Sequence, residues 1–383
     1  MKSQVLIRWT ILGIGFGLWP GANFAANAGD AITDGDYTVL APIGHGNLAV
    51  FPVVASASHD TSEFLTLDEG LKSGEVEVTE LGNIRKLQRP KDGVVVPPRD
   101  PLGDGARVNQ LALVNNSKRP LLLLAGEVVT GGKQDRVIGK DRIVTPESDP
   151  IDLDVFCVEP GRWVGTRDKF GSGGIAQDGN GVMAAPSVRG SAMADKDQNK
   201  VWAQAGRAAE QVTVEAQASL PAVAGPELRR ELSQTTSYAK VMQNDQIQAK
   251  VNSVARPIEQ EYESTIKQLR DRKAVGVVVA VNGEIVWADI FASTSLLEKY
   301  WPKLVRSYAA EAVVTRGKGA QVPQSAAQAF LAQMHGRHET VDTEPGLYRH
   351  TEVTGDGFKA FALTSLLPKT GFALHMAKVT EEQ

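Results

Sequence analysis

The chain has 383 residues, of which 42% are hydrophobic and 22% are charged, enough to form a substantial core. This length suits one large domain or two ordinary ones. The formal net charge of −4 and the isoelectric point near 6.0 argue against a general nucleic-acid-binding protein, which usually has a surplus of positive charge.

The N-terminal segment has the pattern of a secretory signal peptide. Two basic residues precede a short apolar run from Trp9 to Trp19, and small residues surround Ala28. This run is far shorter than the roughly 20 apolar residues that a helix needs to cross a bilayer. We therefore expect cleavage after residues 1–28, a secreted or periplasmic location and no membrane span in the mature chain, residues 29–383. The alternative is a buried N-terminal helix.

The first half of the mature chain has the pattern of β-strands. Runs rich in Val, Leu and Phe, such as LAVFPVVA, are bounded by Gly and Pro, and the segment GEVEVTEL alternates polar with apolar residues. Further strands are indicated by RVNQLALVNNS, RPLLLLAGEVV, DRIVTP and IDLDVFCVE. These patterns predict an antiparallel β-sandwich or barrel-like core of about eight strands.

The stretch from Gly165 to Lys196 shows no hydrophobic periodicity and is rich in Gly, Ala, Ser and Asp. A run of this length without regular structure is usually either functional or disordered. We therefore predict a flexible loop over residues 165–196. The sequence leaves open whether it is a lid or a disordered segment.

Helical patterns dominate the next part of the chain. An apolar stripe steps by three and four residues from Ile247 to Leu269, and Pro257 within it predicts a kink or a break. The dipeptide Asn282-Gly283 between Val- and Ile-rich runs predicts a hairpin. Further helices precede three C-terminal strands.

The order of these elements predicts an α+β fold. The first half is mainly antiparallel β, a helical segment is inserted after it, and strands end the chain. Because the helices lie between strands that need partners, we expect residues 29–383 to form a single integrated domain.

The segment LLLLAGEVVTGGKQDRVI superficially resembles a phosphate-binding loop. A Walker A loop needs a glycine where Glu127 stands and a hydroxyl where Gln134 stands, so this loop type is excluded. The segment instead supplies Glu127 as a candidate catalytic residue, with ligand-binding candidates that can hold an anion or form hydrogen bonds: Lys133, Gln134, Asp135 and Arg136. The alternative is a β-turn with solvated charges.

A second cluster, CVEPGRW, ends the next long strand. If the two strands pair, Glu127 and the second catalytic candidate, Glu159, face one cavity in a paired-carboxylate arrangement suited to acid–base chemistry. Arg162 would then bind an anion, and Trp163 would stack on a ring or sugar. The alternative is a plain ion pair at the end of a sheet. Cys157 falls on the apolar face of its strand and is predicted to be core.

A third cluster lies in the helical segment WPKLVRSYAAEA. Lys303, Arg306 and Tyr308 lie within two helical turns, and the two cations share a face. They complete an anion site or form the solvated side of an amphipathic helix. We favour the solvated side.

Metal binding is not indicated by the sequence. A single cysteine excludes an internal disulfide and a cysteine-rich zinc site. Gly336 disfavours a helical metal face between His335 and His338, where a solvated turn is expected. We predict no metal site, and no cofactor is indicated.

Several strings, in their order, resemble a family of uncharacterised domains named for association with ADP-ribosylglycohydrolase and rhodanese/phosphatase proteins. They are LLLLAGEVVTGGKQDRVI, VFCVEPGRW, QNKVW, VNGEIVWADIF and WPKLVRSYAAEA, and the likeness spans residues 35–314. The resemblance implies a ligand related to ADP-ribose or another nucleotide, without an established reaction. The positions of this sequence that match the family's motifs are Glu127, Lys133, Gln134, Arg136, Glu159, Arg162 and Trp163.

Two functions follow as expectations. The first is an exported protein that binds, or binds and hydrolyses, an anionic nucleotide-like small molecule, with no nucleic-acid partner. The second is a non-catalytic envelope module whose charge clusters fix the fold. The sequence does not indicate the ligand, the oligomeric state or whether the protein is an enzyme.

Overall fold

The computed structural model describes residues 36–86, 107–163, 165, 167–172, 181–269, 272–315, 317 and 321–381. The predicted signal peptide and residues 173–180 of the predicted loop lie outside the described residues. The fold is α+β, as predicted, with a mostly antiparallel arrangement of strands. None of the described helices is both long enough and apolar enough to cross a membrane.

The first half of the chain is almost entirely β-structure. In chain order its elements are β1 (Thr38–Val39), β2 (Ile43–His45), β3 (Leu48–Ala55), β4 (Leu65–Thr66), α1 (Leu67–Ser73), β5 (Val76–Glu80), a 3-10 helix (Leu81–Lys86), β6 (Gln110–Asn115), β7 (Leu121–Leu123), β8 (Val128–Thr130), β9 (Arg136–Ile138), β10 (Arg142–Val144), β11 (Ile151–Cys157) and β12 (Lys169–Ser172).

The second half contains most of the helices. Its elements are α2 (Pro186–Gly190), a π-helix (Ser191–Asp195), α3 (Gln198–Ala218), α4 (Ala224–Leu232), α5 (Tyr238–Gln243), α6 (Asp245–Lys267), β13 (Lys273–Val281), β14 (Glu284–Phe291), α7 (Thr294–Val314), α8 (Gln324–Ala332), β15 (His338–Glu344), β16 (Tyr348–Gly355), β17 (Phe358–Ser365) and β18 (Ala373–Thr380).

The predicted barrel-like core is present as a closed barrel of β11, β6, β5, β12, β8 and β9. Alternate residues of these strands are buried in one cluster, for example Leu111 and Leu113 of β6 and Leu153 and Val155 of β11. This period of two is the pattern expected for strands that turn one face towards a core. Strands β10, β7 and β4 form a separate three-stranded sheet.

The earliest strands do not join this barrel. β3 lies between β1 and β13 in a nine-stranded sheet that continues through β14, β18, β17 and β16 to β15. β3 is buried along nearly its whole length, so it requires a central position with partners on both sides. The Asn282-Gly283 hairpin is confirmed between β13 and β14, and both turn residues have positive φ, as a type I′ turn requires.

Three local predictions differ from the structure. Residues 186–195 form two short helices with buried residues, not a loop, because their small side chains allow close packing and Arg189 is neutralised in the interior. Helix α6 continues through Pro257 without the break that was one of the two expected outcomes, since its apolar face packs against α7, with Tyr262 stacked on Trp301. The expected solvated turn holds for His335, which is exposed outside regular structure, whereas His338 begins the exposed edge strand β15.

Candidate functional site

The hairpin between β8 and β9 carries most of the predicted site residues. Its turn depends on Gly131 and Gly132, which have φ values of 134° and 49°. A Cβ atom on Gly132 would lie 2.3 Å from the ring of Phe170, and one on Gly131 would lie 2.9 Å from the carbonyl oxygen of Lys169. Both glycines are therefore needed, because the turn packs directly against β12.

Three charged residues meet behind this turn: Asp135, Glu159 and Arg162, which we call the turn cluster. Arg162 donates to both carboxylate oxygens of Glu159, from Nε at 2.6 Å and from Nη2 at 2.5 Å. Arg162 also donates to the carbonyl oxygen of Gly132 at 3.1 Å, and Glu159 accepts the backbone N–H of Asp135 at 3.0 Å. A two-pronged arginine–carboxylate contact is strong and geometrically specific. The cluster thus holds the turn in one conformation.

Asp135 links the barrel to the helical segment. Its carboxylate accepts the backbone N–H of Gly131 at 3.0 Å and the hydroxyl of Ser237 at 2.5 Å. Burial raises the pKa of Asp135 above its usual range. Ser237 also caps α5 by accepting the backbone N–H of Lys240. Ser237 is not among the predicted site residues, and the Ser before a helical run signals only its capping role.

Three further predicted residues form the aromatic platform: Trp163, Lys133 and Arg136. Trp163 is 41% exposed, and the Lys133 ammonium lies 5.0 Å from the centre of its ring. The Arg136 guanidinium lies 6.0 Å from the same ring, but its side chain is buried and donates through Nε to the carbonyl oxygen of Val108. Gln134 is also buried, and its amide donates to the carbonyl oxygen of Glu159. The platform therefore offers an exposed aromatic face with positive charge beside it.

Glu127 does not share this location. The backbone carbonyl oxygen of Glu127 accepts the N–H of Ile138 on the opposite strand. Ile138 is three residues after Asp135, which is about 10 Å along a strand. Glu127 is buried and pairs with Lys303 at 2.5 Å, while its other oxygen accepts the backbone N–H of Leu124. The expected pairing with Glu159 is therefore wrong: the hairpin register puts Glu127 at the open end and Glu159 beside the turn.

Lys303 is not on a solvated helix face, which corrects the interpretation of the third cluster. It is 3% exposed and binds both Glu127 and Asp68, the latter at 2.7 Å, and Tyr308 on the same helix is fully buried. Helix α7 is covered because it packs against the large sheet and against α3 and α6. Burial alone would lower the pKa of Lys303, but the two carboxylates raise it. Burial in turn raises the pKa of Glu127.

A separate buried network joins the sheet to the helices. Arg189 of α2 forms a two-pronged ion pair with Asp289 of β14, at 2.9 and 3.0 Å. His375 of β18 lies between Asp289, at 3.0 Å, and Asp141, at 2.6 Å. Tyr308 donates to Asp289. Arg189 and the protonated His375 thus balance the carboxylates of Asp289 and Asp141 in the interior, where unpaired charge is very unfavourable.

The network has weak signals in the sequence. Asp289 interrupts the apolar run IVWADIF, and His375 interrupts FALHM, so each is expected to need a buried partner. Gly126 is explained by the same network. It has a φ of 95°, and a Cβ atom there would lie 2.5 Å from Cγ of Arg189.

Cys157 is a core residue, as predicted. It is fully buried and free, its sulfur accepts the backbone N–H of Glu159 at 3.3 Å, and burial raises its pKa. These properties do not suit a nucleophile, which needs an accessible thiolate. In the described part of the chain, no group of three His, Cys, Asp or Glu residues is placed to hold a metal ion.

Comparison with known proteins gives one match. A family model described as the ARG and Rhodanese-Phosphatase-superfamily-associated Protein domain, ARPP-1, matches residues 36–379. The match confirms the resemblance seen in the sequence and extends it beyond residue 314 to the C-terminal strands. Searches of curated proteins and of solved structures gave no significant match.

Proposed function

The chain belongs to the ARG and Rhodanese-Phosphatase-superfamily-associated Protein domain family, and we propose that it binds an anionic, nucleotide-like small molecule of the ADP-ribose type. The binding surface in this proposal is the aromatic platform. The observation that carries it is the exposed ring of Trp163 with the ammonium of Lys133 at 5.0 Å.

The exposure of Trp163 is unusual for this chain. Among the described residues, only three large hydrophobic side chains are exposed, and the other two are valines, Val223 and Val341. An exposed indole ring offers a stacking surface for a base, and such stacking contributes about 1–3 kcal/mol. A neighbouring lysine suits the phosphate or carboxylate of the same ligand.

The turn cluster supports binding more than hydrolysis at this surface. Both carboxylate oxygens of Glu159 accept hydrogen bonds from Arg162, and one also accepts the backbone N–H of Asp135. A general base must direct a lone pair at the reacting group. Glu159 is instead oriented inwards, so we assign it a positioning role for the turn that carries Lys133.

We expect ADP-ribose to bind the full chain in a calorimetric titration. Trp163→Ala should weaken binding about tenfold or more through lost stacking. Lys133→Ala should weaken binding about tenfold and reduce the salt dependence, because one charged contact is lost. Lys267→Ala is the matched control, since this side chain is 78% exposed at the end of α6. Equal affinity in all four proteins, or absence of binding, would contradict the proposal.

The alternative function is a non-catalytic module in which the charged residues stabilise the fold. The burial of the turn cluster favours this alternative. Arg162→Ala leaves the carboxylate of Glu159, which is 2% exposed, with only the more distant ammonium of Lys240, at 3.9 Å, as a cationic partner among the described residues. We expect a loss of about 2 kcal/mol in the free energy of unfolding, less than for a fully enclosed pair, because Arg162 itself is partly exposed. Such a loss without any binding of ADP-ribose, AMP or ribose 5-phosphate would favour this alternative.

We also propose export. The support is the charged start, the short apolar run and the small residues around Ala28. N-terminal sequencing of the protein from its native host is expected to begin at Gly29. An intact Met1 on protein from the cytosol would contradict export.

A further inference from the structure

The two edges of the nine-stranded sheet differ in how they are covered. At one edge, β1 has two residues, and glutamines of α8 bond to its backbone: Gln328 accepts the N–H of Val39 at 2.8 Å, and Gln324 donates to the Val39 carbonyl oxygen at 2.7 Å. At the other edge, β15 has seven residues, all of them exposed, and in the described part of the chain it pairs with β16 alone. An open edge of this kind recruits a further strand unless it is blocked.

We propose that β15 binds the β15 of a second copy of this chain, so that the two sheets join about a two-fold axis. Proline, lysine and bulges are common blocks at an edge. The strand has neither residue type between His338 and Glu344, and its pairing with β16 keeps one unbroken register. Val341, in the middle of β15, is 46% exposed and offers an apolar contact.

The pairing with β16 fixes which backbone groups of β15 face the open edge. Glu344 pairs with Tyr348, and Pro345 has no N–H, so Glu344 and Tyr348 exchange their own backbone hydrogen bonds. Because the backbone of an antiparallel strand faces its two neighbours alternately, every second residue before Glu344 also bonds to β16. The residues between them turn their N–H and carbonyl groups to the open edge: Glu339, Val341 and Thr343.

A two-fold axis at Val341 uses all of these outward groups. Val341 then lies opposite its own copy, and Glu339 lies opposite Thr343 of the second copy, each as a hydrogen-bonded pair. An axis at Asp342 would place that carboxylate opposite itself, and an axis at Thr343 would place Asp342 opposite Glu344. Like charges directly opposite each other are destabilising. An axis nearer the start of β15 would leave the end of the strand unpaired.

The other side chains that meet in this register are complementary. His338 lies opposite Glu344 of the second copy, so an imidazole N–H faces a carboxylate. Thr340 lies opposite Asp342 and can donate its hydroxyl to it. Asp342 is also paired with Lys140 of its own chain, which compensates its charge. The acidic residues of β15 therefore favour this register and do not block it.

Sedimentation velocity of the full chain at rising concentration tests the proposal. One strand from each copy is a small interface, so we expect a reversible dimer with a dissociation constant of about 10–100 µM. Val341→Lys should weaken dimerisation about tenfold, because two ammonium groups would lie opposite each other at the axis. Val341→Thr is the matched control, since it keeps a β-branched side chain at the same exposed position, and it should dimerise like the wild type.

Cysteine variants test the register. In the proposed pairing the two copies of Val341 have Cα atoms about 5.5 Å apart, a distance that a disulfide spans, so Val341→Cys should form a cross-linked dimer on oxidation. Thr343→Cys is the matched control and should remain uncross-linked, because the two copies of this residue lie about 13 Å apart along the strand. The chain's own thiol, Cys157, is buried.

Three outcomes would overturn the proposal. A chain that is monomeric at every concentration would do so, and would leave this edge for a strand of a different protein. Unchanged dimerisation of Val341→Lys would place the interface elsewhere. Equal cross-linking of Thr343→Cys and Val341→Cys would contradict the register. Both positions are exposed, and melting curves of the variants show that each is folded.

Discussion

Replacing Arg189 with methionine is expected to destabilise the protein by about 3–5 kcal/mol, since one partner of a fully buried ion pair is removed. Arg189 and Asp289 have no exposed side-chain surface, and two hydrogen bonds join them. The variant leaves the Asp289 carboxylate without its principal cation in an interior that cannot solvate it. Chemical denaturation of the wild type and the variant measures the difference directly.

Two further variants make this prediction specific to the buried charge. Arg230→Met is the matched control, because this arginine of α4 is 76% exposed, and a change within about 0.5 kcal/mol is expected. Combining Arg189→Met with Asp289→Asn should recover part of the loss, since the uncompensated charge is then removed as well. A loss below about 1 kcal/mol in Arg189→Met alone would show that the pair does not hold the helices on the sheet.

The stability provided by His375 is expected to depend strongly on pH. Burial alone would lower the pKa of His375, but Asp141 and Asp289 raise it to about 9. The folded state therefore retains a proton that the unfolded chain loses near its usual pKa of about 6.5. This contribution is fully present below about pH 6.5 and disappears as the pH rises through about 9.

The measurement compares the wild type with His375→Gln over this range. The destabilisation caused by the substitution should fall by about 3 kcal/mol between about pH 5.5 and pH 9.5, from a pKa difference of about 2.5. Burial also lowers the pKa of Lys378 to about 8, but this lysine is present in both proteins and its effect cancels. A difference that does not change with pH would contradict a charged His375.

His350 provides a control of opposite sign. It is buried, and burial lowers its pKa to about 4, so it is neutral in the folded protein above that pH. Between about pH 4 and 6.5 the unfolded chain binds the additional proton, so this histidine reduces stability as the pH falls. His350→Leu should therefore be most favourable relative to the wild type near about pH 4 and should show little pH dependence above about pH 7.

The sequence by itself determined the features that depend on neighbouring residues. Period-two alternation, the Asn282-Gly283 turn and the apolar stripes predicted the strands, the hairpin and the α+β class, because these patterns act over a few residues. The placement of Cys157 on the apolar face of its strand was sufficient to predict its burial. The ordered motifs were also sufficient to indicate the family.

Only the tertiary structure decided which charged groups meet. Glu127 pairs with Lys303, 176 residues away along the chain, and not with a cation of its own segment. Arg189 lies in a stretch that has no apolar periodicity, yet it is ordered by Asp289 from a distant strand. The energy of a charge depends on which chain segments exclude water from it and which supply its counter-ion. Those segments are brought together by the register of strands far apart in sequence, which no local pattern of residues specifies.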